Sequence, residues 1–160
     1  MKSRKSGLFY LNTMRKFILL IALAFIFEEV NAQLEKPVTW SYFAKKTGKN
    51  EAILNIKAKM KGNWHIYSLN VKGIPAKTYF TFSSSKDYTL VGKTQEPKPI
   101  SKYDKVIKAN LTYFEKEVVF TQKIKLNKTL TVVKGKVEFM VCNEKSCLPS
   151  DEVLFSIPVK

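Results

Sequence analysis

Between residues 38 and 159 period-two alternation of apolar side chains dominates this sequence, and that rhythm restricts the fold more than any other feature. Successive side chains of a β-strand point to opposite faces, so period-two alternation marks strands with one buried and one solvated face. In "EAILNIKAKM", Ala52, Leu54, Ile56, Ala58 and Met60 fall on one face, with Asn55, Lys57 and Lys59 on the other. In "EVVFTQKIKL", Val118, Phe120, Ile124 and Leu126 point inward and Thr121, Lys123 and Lys125 outward. The same reading predicts strands over 38–45, 64–68, 77–82, 88–91, 106–113, 129–141 and 153–159. Nowhere in this region is there a sustained apolar stripe at helical spacing. Seven to nine short strands, separated by turn clusters such as "KTGKN", "KGN", "SSSKD" and "LNKT", predict an all-β domain, an immunoglobulin-like antiparallel β-sandwich. One stretch breaks the rhythm: "QEPKPISKYDK", residues 95–105, carries two prolines and reads as an extended loop along an edge or an end of the sandwich.

The first 32 residues do not belong to that count. In "MRKFILLIALAFIFEEVNAQ", Arg15 and Lys16 precede eleven apolar residues, Phe17 to Phe27, and Val30-Asn31-Ala32 ends in the small residue that a signal peptidase requires. The apolar run is too short to span a bilayer. It reads as an export signal over 1–32, with Met14 as a candidate native start, followed by a single exported, periplasmic domain over 33–160. No cysteine follows Ala32, so there is no lipid-attachment pattern.

Charge narrows the partners. The chain has 28 basic and 13 acidic residues; five and two of these lie in the leader, which leaves 23 against 11, a net charge of +12. Both arginines are in the leader, at Arg4 and Arg15, so every basic residue of the domain is lysine. Arginine is the bidentate reader of phosphate and guanine, and these lysines are scattered over alternating strands. The balance reads as a solvated lysine surface on a monomer rather than a nucleic-acid interface.

The only cysteines, Cys142 and Cys147, lie four residues apart in "EFMVCNEKSCLPSDE". Alternation in "KGKVEFMVC" sets Gly135, Val137, Phe139 and Val141 on one face and Cys142 on the other. If it holds to the strand end, the Cys142 sulfur lies toward solvent or beneath a loop, outside the main core. Asn143 to Ser146 form a tight polar turn back to Cys147. A disulfide closing about six residues removes only about 2 kcal/mol of unfolded-chain entropy, against about 4.7 kcal/mol for a hundred-residue loop, so it is a weak staple. Two cysteines in an exported protein nevertheless usually oxidise. Structural zinc requires four ligands, and the chain offers two thiols and one imidazole, His65. His65 lies in "GNWHIYS", where Trp64 and Ile66 share one face and His65 and Tyr67 the other. Lys145 in the turn favours a thiolate and Glu144 opposes it, so the sequence sets no direction for the thiol pKa. Spacing alone leaves a structural bridge and a redox pair both open.

"WHIYSLNVKGIPAKTYFTF", the Pro-rich "QEPKPISKYDK" and "GKVEFMVCNEKSCLPSDEVLFSI", in that order, resemble the N-terminal periplasmic domain of the thiol:disulfide interchange protein DsbD, in the free-standing form of Bacteroidetes-type bacteria. The resemblance covers nearly all of the domain. Its most specific part is the strand ending in Cys, the polar turn and Cys-Leu-Pro; the turn has four residues here and is slightly longer in the best-known members. The resemblance implies an immunoglobulin-like fold whose Cys142 and Cys147 cycle between dithiol and disulfide without a cofactor or metal, as in a thiol-disulfide oxidoreductase. Electrons would come from a thioredoxin-like donor linked to a membrane electron carrier and pass to periplasmic disulfide isomerases or cytochrome-maturation proteins. By position, Cys147 is the cysteine that partners attack and Cys142 the one that completes the exchange. A cap loop around Tyr103 and a surround of His65 and Tyr67 are also implied, His65 replacing the family's tyrosine. The competing expectation is a non-catalytic sandwich that binds a partner and whose disulfide only fixes the turn.

Overall fold

The computed structural model describes residues 36–105 and 108–160; the expected export signal lies outside them. The described residues form eleven strands: β1 (Val38–Gly48), β2 (Glu51–Met60), β3 (His65–Tyr67), β4 (Tyr79–Phe82), β5 (Tyr88–Gln95), β6 (Ile100–Asp104), β7 (Ala109–Glu115), β8 (Glu117–Leu126), β9 (Thr131–Phe139), β10 (Val141–Cys142) and β11 (Asp151–Val159). They make three antiparallel sheets with strand orders β1-β2-β8-β5, β10-β3-β7-β6 and β11-β9-β4. The first sheet packs against the other two, and the fold is the expected all-β, immunoglobulin-like sandwich.

The alternation read from the sequence is what closes this core. Ala52, Leu54, Ile56, Ala58 and Met60 are all buried, as are Val118, Phe120, Ile124 and Leu126 on the adjoining β8. Each large apolar side chain so buried contributes about 1.5–3 kcal/mol. Aromatic rings join the layers: Trp40 of β1 meets Phe80 of β4 at 6.2 Å and Phe139 of β9 at 5.2 Å, and Phe120 of β8 meets Phe114 of β7 edge-on at 5.8 Å. One inward position of β8 is polar. Gln122 is buried, accepts from Thr94 Oγ1 at 2.9 Å and donates to the carbonyls of Lys123 and Val91 at 2.8 and 3.2 Å. It thereby satisfies the backbone where β5 bulges between Val91 and Gln95, at Gly92 with φ 68°.

Two expectations are corrected. The strand expected over 129–141 is interrupted at Met140: β9 pairs with β11 and β4, whereas β10 pairs with β3 in a different sheet. The chain thus changes sheets just before the first cysteine, although the in-and-out alternation survives the crossing, Phe139 and Val141 being in the main core. The segment expected as a loop over 95–105 is largely strand. Pro97 and Pro99 lack the N–H of a ladder residue and occupy the link, while Ile100–Asp104 pairs with β7 from Ile100↔Tyr113 to Asp104↔Ala109 as an edge strand. Glu96 anchors the link: its carboxylate accepts from Ser68 Oγ at 2.6 Å, Leu69 N at 2.8 Å and Asn70 Nδ2 at 3.0 Å.

Candidate functional site

The sheet β10-β3-β7-β6 has two unlike faces. Paired residues in an antiparallel sheet share a face, and the row Val141, Ile66, Phe114 points into the main core. One residue along, Cys142 pairs with His65, and His65 pairs with Glu115. Tyr67 pairs with Tyr113 in the next row of the same face. Trp64 and Ile66 therefore enter the core, and His65 and Tyr67 face the opposite way, as their alternation predicts. Beneath that face lies a smaller apolar cluster of Tyr67, Val71, Ala76, Leu111 and Cys142. Cys142 is outside the main core but 2% exposed, buried within this smaller cluster.

The turn that returns the chain to Cys147 is built by Asn143. Its Oδ1 accepts from Lys145 N at 2.8 Å and Ser146 N at 2.9 Å, and its own N–H donates to the Ser146 carbonyl at 2.9 Å. Asparagine favours such turns because its short side chain reaches the backbone two residues on. Leu148 N donates to the Val141 carbonyl at 2.9 Å, closing a hairpin in which Cys142 and Cys147 stand opposite each other, joined as a disulfide with Cα atoms 4.0 Å apart. Cys147 is an exposed residue, so the two partners of one disulfide differ sharply in burial. The turn's own hydrogen bonds are made by backbone groups and Asn143 Oδ1 and do not involve the sulfurs.

A cavity of about 530 Å³ opens over this face and is lined by both cysteines together with His65, Tyr67, Tyr103 and Glu115, among others. All five residues expected from the sequence thus meet at one place. Tyr103 is exposed and belongs to β6, a strand rather than the expected cap loop. The His65 ring lies 5.4 Å from that of Tyr67, edge-on, and 4.7 Å from that of Tyr113. Burial lowers the His65 pKa below its ordinary 6.5; Glu115 opposes this and Lys102 adds to it, so the imidazole is neutral at neutral pH. Burial, and then the Asp104 carboxylate, hold the Tyr67 hydroxyl above its ordinary 10, so it is a hydrogen-bonding group and not an anion. Sequence reasoning missed Tyr113, Glu115, Lys102 and Asp104. The signal exists: alternation in "ANLTYFE" puts Leu111, Tyr113 and Glu115 on one face, but the strand expected from the sequence ends at Tyr113 and the neighbouring segment reads as a loop.

An immunoglobulin-like sandwich whose sheet edge carries a paired-cysteine hairpin, one cysteine buried and one exposed beside an aromatic cavity, is the class this geometry defines. The sequence model of the family described as thiol:disulfide interchange protein DsbD, N-terminal, matches residues 32–158, and the chain belongs to that family. Among solved structures, the N-terminal domain of Neisseria meningitidis DsbD in the reduced form is similar at 15% identity and a TM-score of 0.53, covering 81% of this chain and 93% of that one. The complex between the DsbD N-terminal and PilB N-terminal domains of Neisseria meningitidis contains a similar chain at 14% identity and a TM-score of 0.51, covering 79% and 88%. The N-terminal periplasmic domain of ScsB from Proteus mirabilis aligns at 16% identity and a TM-score of 0.49, over 76% of this chain and 44% of that one. The two Neisseria likenesses describe the fold. No curated protein sequence matches the chain.

Proposed function

We propose that this protein is an exported, periplasmic thiol-disulfide exchange protein that relays two electrons through Cys142 and Cys147. The observation that carries the reading is the unequal exposure of the two cysteine residues: Cys147 is exposed and Cys142 is 2% exposed. Exchange proceeds by in-line attack of a thiolate on a disulfide sulfur, so an incoming thiolate reaches Cys147 and displaces Cys142. A second thiol of the donor then resolves the mixed disulfide, leaving Cys142 and Cys147 reduced and the donor oxidised. In the second half-cycle Cys147 attacks a client disulfide, and Cys142 attacks Cys147 to release the client as a dithiol. Family membership suggests a thioredoxin-like donor, fed by a membrane electron carrier, and disulfide isomerases or cytochrome-maturation proteins as clients. His65, Tyr67 and Tyr103 form the surround that a partner displaces or stacks upon.

The test is the reduction potential of the pair, measured by equilibrating the purified domain against glutathione or dithiothreitol buffers with thiol alkylation as readout. Exchange proteins lie at roughly −120 to −270 mV, and a value there is expected; a value below about −300 mV identifies a structural bridge and sinks the relay.

A further inference from the structure

Across three adjacent strands the register places Cys142, His65 and Glu115 side by side on one face of one sheet. Directly opposed residues in such a ladder have Cβ atoms about 4.5–5.5 Å apart, within reach of an imidazole on either side. The row also runs outward: Cys142 is buried, His65 half-buried and Glu115 exposed. We propose that His65 is the proton acceptor for the Cys142 thiol, with the Glu115 carboxylate holding the imidazole and carrying its charge toward solvent. The proposal rests on the exchange reading above and assigns the residue that makes its resolving step possible.

The need for such a group follows from burial. A thiol attacks only as thiolate, and a thiol in apolar surroundings resists ionisation. The other buried members of the cluster that holds Cys142 are Tyr67, Val71, Ala76 and Leu111, of which only the tyrosine has an ionisable group, and that hydroxyl is held protonated. His65 is the next group out. The titratable groups that line the cavity with the imidazole are Glu115 and Tyr113 from β7, Lys102, Tyr103 and Asp104 from β6, Glu144 from the turn and Tyr67 from its own strand. Being neutral at neutral pH, the imidazole has one nitrogen able to accept a proton. In the step, the Cys142 S–H proton passes to His65 and the Cys142 thiolate attacks Cys147 Sγ of the mixed disulfide. The Cys142–Cys147 bond forms, the Cys147–client bond breaks with its electron pair on the client sulfur, and the imidazolium returns its proton to that thiolate or to water. Run in reverse, the same site delivers a proton to the departing Cys142.

The experiment uses the domain reduced beforehand with dithiothreitol, freed of reductant and mixed with one equivalent of dithio-bis-nitrobenzoate in a stopped-flow instrument at a series of pH values. The first thionitrobenzoate released reports attack by Cys147; the second reports closure by Cys142. The wild type is expected to close at a rate that rises through a titration centred below pH 6.5 and levels near neutrality. In His65→Gln the closing step should fall at least tenfold at about pH 7 and lose that titration, since general-base assistance is typically worth 10²–10⁴-fold, while the first release stays within about twofold. Glu115→Gln changes an exposed side chain and should move the titration to lower pH, because the carboxylate raises the histidine pKa. A closing rate within twofold of wild type and with the same pH profile in His65→Gln overturns the proposal. So does an unmoved titration in Glu115→Gln, which decides the matter should His65→Gln not fold. Because the pair is reduced chemically first, this profile can fail while the reduction potential supports exchange, and the reverse.

Discussion

Gly135 and His65 show how much a single residue carries. A Cβ added to Gly135 would overlap the Thr81 carbonyl oxygen and the Phe155 ring, so β9 passes between its neighbours only without a side chain. Gly135→Ala should therefore destabilise the domain by about 1–3 kcal/mol, the range for overpacking a closed site, seen as a lower urea midpoint with an unchanged slope. For His65 the sign follows from the lowered pKa. The unfolded chain takes up the proton near pH 6.5, whereas the folded chain, with the imidazole half-buried, takes it up only at lower pH. Stability from this group is therefore complete above about pH 6.5 and is lost as the pH falls toward the folded value. Denaturation curves from about pH 8 down to pH 5 should show that decline in wild type and a flatter one in His65→Gln. Of these two residues, the direction in which His65 points was legible from alternation. The tight passage at Gly135 was not, because it depends on a ring twenty residues away.

At the scale of the element, the hairpin from Val141 to Leu148 is the unit that sets how readily the two sulfurs meet. Asn143 holds it through two side-chain hydrogen bonds, so Asn143→Ala should lower the effective concentration of one thiol for the other. The disulfide then becomes easier to reduce, and the potential should rise by about 10–30 mV, 30 mV being roughly tenfold in equilibrium constant; the glutathione titration reads it directly. A polar turn between the cysteines was readable from "NEKS". Two other elements were not. The break at Met140 lies inside an uninterrupted alternating run, and only the partners of each half, β11 and β4 for one and β3 for the other, reveal it. The strand β6 follows two prolines that make its segment read as a loop, and it exists because β7 offers it an open edge.

For the whole molecule, the disulfide is peripheral to stability. The main cluster contains neither cysteine; Cys142 belongs to the smaller one. Reduction should remove only about 2 kcal/mol and lower the melting temperature by roughly 5–10 °C, with the near-ultraviolet circular dichroism of the aromatic core retained. A protein that switches between dithiol and disulfide needs that independence, since both states must hold the same surface. The sequence by itself determined the fold class, the buried faces of β2, β8 and β9 and the turn between the cysteines, because alternation and turn chemistry act over a few residues. Only the tertiary structure decided that Cys142, His65 and Glu115 stand in one row running from interior to solvent, since register between strands distant in sequence is a property of packing and leaves no local trace.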